Sequence, residues 1–241
     1  MSFKTRFTDL LHYMRDLQLT LADRLTDEER ARIGTEQDWS AKDTLFHNMV
    51  WANFHRTRLE AFERDGVWPE REDGGDFDKT NHEIFEAHQH KTWDDARAMI
   101  RDTYARADAY LGRTSENDLL AQIEFEGQQR PKWRMIAGDH VMHPMIHVWE
   151  YLAKHDHSAL LSELFGESFT DRLLALSDDP GWRGTTLYNL ACIYAMSGET
   201  DRAIEQLGEA LRLNPDLIEW SKEDPDLASL RDQPGYQALY D

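Results

Sequence analysis

Apolar residues Phe3, Phe7, Leu10, Leu11, Met14, Leu17 and Leu21 fall mostly at steps of three and four, the period that lines one face of an α-helix. The spacing predicts a first helix to about Leu25. A polar connection, TDEERARIGTEQD, follows, and Leu45, Met49, Ala52, Leu59 and Phe62 then resume the helical period behind Ser40 and Asp43, whose separation is close to that of a capping box. That is a second helix. DGVWPEREDGGD reads as loop by its Gly, Pro and charge content. A third helix is expected in two pieces, DKTNHEIFEAHQ and, behind an N-cap at Thr92, WDDARAMIRDTYARADAYL. Residues 113–132 are polar and turn-rich, with IEFEGQ as a short extended piece, and no run of strands is expected. A fourth helix opens between Trp133 and Pro144 and continues through HVWEYLAKH, and another amphipathic stretch, SALLSELFGESFTDRLLALS, follows it. The expected fold is all-α, with residues 1–177 as an up-and-down four-helix bundle carrying a satellite helix.

After SDDPGWRG the pattern changes. From Gly184 to Leu217 the chain fits a 34-residue period, with Leu190, Ala191, Tyr194, Gly198, Ala203, Leu207, Ala210 and Pro215 where a tetratricopeptide hairpin wants small, aromatic and turn residues. The alanines let two antiparallel helices approach, Gly198 turns the chain, and Pro215 stops the second helix. Residues 178–241 are therefore expected to be a second domain, one tetratricopeptide-like hairpin with a tail of capping helices.

Charge narrows the partners. Against 27 Lys and Arg stand 46 Asp and Glu, a net charge of -19, so the mean field repels nucleic acid and anionic membrane surfaces. The single cysteine, Cys192, rules out an internal disulfide and any CxxC pair, which suits a reducing cytoplasm. No signal-type or membrane-spanning apolar run is read in the chain, and a soluble cytoplasmic protein is expected.

The candidate chemistry lies in HVMHPMIHVWEYL, His140 to Leu152. His143 and His147 are four apart, the spacing that puts two imidazoles on one helix face, as metal ligation needs. A third ligand has to come from another helix, and His47, about two turns into the second helix, is the candidate. Pro144 complicates the geometry: either the helix begins beside it or kinks there, and in the first case His140 rivals His143. Glu150 is placed to orient His147 or to serve as a general base. Trp39 is expected to pack under the start of the second helix. His82, His88 and His90 read as surface histidines, and His155 and His157 as residues suited to a helix end.

The run W-S-x-K-D-x-L-x-H, Trp39 to His47, followed about a hundred residues later by HxxxH, resembles the DinB-like superfamily of four-helix bundles, which includes YfiT-like proteins. Phe3 to about Leu164 is most similar to its ClbS/DfsB branch, with Asn81 contributing to the likeness. The resemblance implies a divalent metal, nickel, zinc or iron, held by His47, His143 and His147. It also implies a metal-dependent hydrolase or thiol transferase acting on a small electrophilic metabolite or toxin, a protective role. The competing expectation is a non-catalytic binding bundle whose tetratricopeptide-like segment docks a protein partner or a second copy of the chain. Homodimers are common in the superfamily.

Overall fold

In the computed structural model residues 1–71, 74–125 and 127–240 are described; Glu72 and Asp73 of the DGVWPEREDGGD segment, Glu126 of IEFEGQ, and Asp241 lie outside them. The chain divides into two compact units, Met1–Tyr151 and Leu152–Asp241. The boundary placed after residue 177 by the sequence pattern falls inside the second unit.

In the first unit Ser2 caps α1 (Phe3–Thr20), which ends in a tight turn at Leu21–Arg24. The polar connection is partly helical: Thr26 and Glu29 close a capping box on the short α2 (Asp27–Ala31). Reciprocal caps satisfy amides that would otherwise leave five residues unable to hold a helix. Ser40 and Asp43 do the same for α3 (Ala41–Asp65), which stops at Gly66 with φ 74°. Gly34 is required here, since a Cβ on it would lie 2.2 Å from Asp43 Oδ2 and 2.5 Å from the Ser40 nitrogen.

The third helix comes in two pieces, α4 (Phe77–His88) and α5 (Trp93–Arg113), the latter capped by Thr92 and Asp95. After α6 (Glu116–Leu120) the chain makes an antiparallel hairpin of β1 (Gln122–Phe125) and β2 (Gln128–Pro131), with Gln122 opposite Pro131 and Phe125 opposite Gln128. The extended piece expected at IEFEGQ is thus present, and it pairs with the residues that follow it. Four-residue strands with one buried side chain, Phe125, carry too little alternation to stand out.

The fourth helix starts as α7 (Lys132–Ala137), passes through a π turn at Gly138–Met142, and continues as α8 (His143–Lys154). Pro144 explains the irregularity: it has no N–H for the carbonyl of His140, four residues back. Helices α1 and α3 both pack on α5, α4 packs on α3, and the π turn contacts α1 and α3. Phe7, Leu10, Met14, Met49, Ile100 and Met145 are fully buried among them. Each such side chain contributes roughly 1.5–3 kcal/mol relative to exposure.

The second unit contains α9 (Ser158–Phe165) and α10 (Glu167–Leu174), which the sequence pattern merged into one stretch. Gly166 separates them with ψ -147°, and a Cβ there would meet the Ser162 carbonyl at 2.4 Å. Both helices pack against α11 (Pro180–Met196). The turn at Gly198, φ 77°, leads to α12 (Thr200–Leu213). Helices α11 and α12 form a close pair. A Cβ on Gly184 would sit 2.5 Å from the Asn214 Cβ and 3.0 Å from the Ala210 carbonyl, so this crossing needs glycine.

The tail folds as α13 (Ile218–Glu223), a turn at Pro225–Leu230 and α14 (Pro234–Gln237). Leu227 and Leu230 are buried, and their turn packs on α11. The Tyr188 hydroxyl donates to Asp224 Oδ2 at 2.5 Å, and the Cys192 thiol lies 3.9 Å from the same oxygen. Burial, reinforced by Asp224, pushes that thiol well above the ordinary cysteine range.

Candidate metal centre

The capping box at Ser40 fixes where α3 starts, and so aims His47, nearly two turns on. Its ring lies 4.6 Å from the Trp39 ring and 6.4 Å from that of Trp51, centre to centre. Trp39 thus packs against the imidazole itself. His143 opens α8, and His147 follows one turn later on the same face.

The structure brings these three side chains together. His143 Nε2 lies 3.2 Å from His47 Nε2 and 3.1 Å from His147 Nε2, and one ring nitrogen from each falls within 4.8 Å of the others. Glu150 Oε2 sits 3.0 Å from His147 Nδ1, which turns the opposite nitrogen of that ring inward. It is occupied with orientation and stands on the far side of the ring from the convergence point. Among the described residues, the Nδ1 atoms of His47 and His143 are buried with no hydrogen-bond partner.

A small divalent ion fits this donor set. An imidazole nitrogen offers one in-plane position, either a proton or a lone pair. One hydrogen at His143 Nε2 can therefore satisfy only one of its two close nitrogen neighbours. Burial, and then the neighbouring imidazoles, drive His47 down to about 2, and burial first, then His147 and His55, take His143 to about 3. Both rings stay neutral and keep lone pairs for coordination. The two nitrogen pairs that share His143, 3.1–3.2 Å apart, are close enough for both members to reach one ion at metal–nitrogen distances of about 2.0–2.1 Å. An ion held by these three side chains alone would keep coordination positions open.

His140 stands outside the cluster. It is buried in the π turn with its ring edge-on to Tyr104 at 5.8 Å, and burial lowers it to about 4. His82 pairs with Glu36 at 3.0 Å, and His88 contacts the Ile84 carbonyl at 2.8 Å, so neither joins the site. Asn81 Oδ1 accepts the Trp51 indole N–H at 3.0 Å.

One pair escaped the sequence reading. His55 Nδ1 lies 2.8 Å from Asp139 Oδ1, and its Nε2 is buried with no hydrogen-bond partner among the described residues. Burial raises the Asp139 carboxyl against the opposing pull of His55. The missed signal is the run His47, Trp51, His55 at steps of four, one face of α3 carrying imidazole, indole and imidazole.

The match to a known repeat lies in the second unit. Residues 184–217 match the tetratricopeptide repeat family. That span is the one the 34-residue pattern marks out, and it covers α11 from Gly184, all of α12 and the chain on to Leu217. A stretch of 45 residues, 19% of this chain, is 51% identical to photosystem I assembly protein Ycf3 of Synechococcus sp. (strain CC9902) and spans 26% of that protein. The chain therefore covers about a quarter of the length of the curated relative it matches. No solved structure matches. Among the described residues, no helix is long and apolar enough to cross a membrane.

Proposed function

We propose that this protein is a metal-binding helical protein whose tetratricopeptide hairpin docks a protein partner. The close approach of His47 Nε2 and His147 Nε2 to His143 Nε2, with one ring nitrogen of each within 4.8 Å of the others, supports the metal half of this reading. Nickel, zinc and iron all accept imidazole ligands, and any of them suits the set. On this reading the first unit is a DinB-like four-helix bundle. Support comes from the order and spacing of Trp39, Ser40, Asp43, His47, His143 and His147. The docking half rests on the repeat match at 184–217 and on the stretch shared with a protein named for photosystem I assembly. These likenesses weigh toward an interaction role over an enzymatic one. One hairpin offers a small surface, so a short peptide segment or a second copy of the chain is the fitting occupant.

Elemental analysis of untagged protein tests the metal half. About one equivalent of nickel, zinc or iron per chain is expected, lost in His47→Ala and His143→Ala variants that keep their circular dichroism. Protein that stays metal-free after reconstitution overturns it.

A second reading, a hydrolase or thiol transferase acting on a small electrophile, is favoured by the open coordination positions and by the His55–Asp139 pair. A bound ion would supply Lewis acidity. The chain's own contribution would be His55, whose Nε2 takes a proton while Asp139 holds the opposite edge of the ring.

A further inference from the structure

Trp51 and Phe54 on α3 and Phe77 at the start of α4 form three walls around one guanidinium. The Cζ of Arg71 lies 4.1 Å from the Phe77 ring centre, 5.5 Å from that of Trp51 and 5.7 Å from that of Phe54. The rings brace one another: Trp51 and Phe54 meet edge to face at 5.5 Å, and Trp51 and Phe77 lie 5.6 Å apart at 37°. The bond from the Trp51 indole to Asn81 fixes which face it presents. Ring faces carry negative charge density, and a cation within about 6 Å of several at once is attracted to all of them.

Phe77 is 54% exposed at the first position of a helix, yet of the three rings it makes the closest contact with the guanidinium. The same indole that walls this cage lies 6.4 Å from the His47 ring and 5.5 Å from the His55 ring. The cage and the histidine cluster therefore share a wall. The protein's charge of -19 draws cations toward both and disfavours anions.

We propose that Trp51, Phe54 and Phe77 form a binding site for an organic cation of the quaternary ammonium or guanidinium class, in which Arg71 stands in for the ligand. The ligand's cationic head displaces the Arg71 side chain and places the rest of the molecule beside His47. The proposal rests on ring geometry alone, so it survives if the histidines hold no metal.

Tetramethylammonium is the probe, titrated into the full chain and read at the Trp51 indole N–H resonance, which a Trp51→Phe spectrum identifies. Arg71→Ala is expected to bind about tenfold tighter than the parent, because the resident guanidinium no longer competes. Arg71→Met, which keeps the aliphatic stem, serves if the alanine variant is unfolded. Adding Phe77→Ala to either is expected to abolish the response while the other indole resonances stay in place. A neutral isostere, 3,3-dimethylbutanol, is expected to give no comparable shift. The proposal is overturned by binding that weakens when Arg71 is removed, which would show that the guanidinium does not compete for the cage, or by a response that persists without Phe77. Equal binding of the neutral isostere or a silent Arg71 variant also overturns it.

Discussion

The Tyr104 hydroxyl donates to the His140 carbonyl at 2.7 Å, and that carbonyl is the one Pro144 has no N–H to reach. A side chain on α5 thus completes the backbone of the helix that carries two of the three clustered histidines. Tyr104 in turn accepts from Gln18 at 2.8 Å, and Asn48 donates to Gln18 at 3.4 Å. The buried relay ties α1, α3 and α5 to the π turn beside the site.

Tyr104→Phe leaves the carbonyl buried and unpaired, and a loss of about 1–3 kcal/mol in unfolding free energy is expected from urea titration. Pro144→Ala supplies an N–H that can take over. The double variant should lose clearly less than the sum of the two single ones. An additive cycle would show that the carbonyl does not couple the two residues.

Glu150→Gln weakens the carboxylate contact to His147. Metal affinity, measured by competition with a chromophoric chelator, is expected to fall about 10–100-fold. The side chain is 59% exposed, so stability should shift by less than about 0.5 kcal/mol. Unchanged affinity would mean that packing alone orients His147.

His140 predicts an acid-sensitive fold. Its pKa falls from 6.5 unfolded to about 4 in the burial of the π turn, so the unfolded chain binds the extra proton between those values. Stability is therefore greatest above 6.5 and declines as pH drops toward 4. At pH 5 the cost is about 2 kcal/mol. His140→Leu should flatten the fall of the urea midpoint with acid by nearly one proton, leaving the slope that His47 and His143 add in the same direction. Parallel curves for parent and variant would refute this account.

Two glycines predict opposite signs. Gly184→Ala drives a methyl into Asn214 and the Ala210 carbonyl and should cost about 1–3 kcal/mol. Gly112→Ala on α5 meets nothing within 4 Å and should gain about 0.5–1 kcal/mol. Thermal melts of the two variants displaced in the same direction would contradict the packing described for α11 and α12.

The long helices and the tetratricopeptide hairpin were legible in the sequence because apolar spacing and caps agree over many residues, as at Ser40 and Asp43. The clustered histidines were legible because a spacing of four means one helix face whatever else the chain does. The β1–β2 hairpin was not, being too short to show a period. Nor was the unit boundary, because residues 152–177 look equally amphipathic whichever neighbour they pack on. His55 and Asp139 lie 84 positions apart, and such a pairing follows from how α3 meets the π turn, which no local pattern records.

Cys192 turns the second unit into its own reporter. It is the single thiol of the chain, 2% exposed and held protonated beside Asp224, so a thiol reagent finds nothing to react with until α11 parts from its neighbours. Labelling rate then counts opening events of that unit, with no introduced cysteine and no dye attached in advance. Partner docking on the hairpin would be heard as a slowing of that clock.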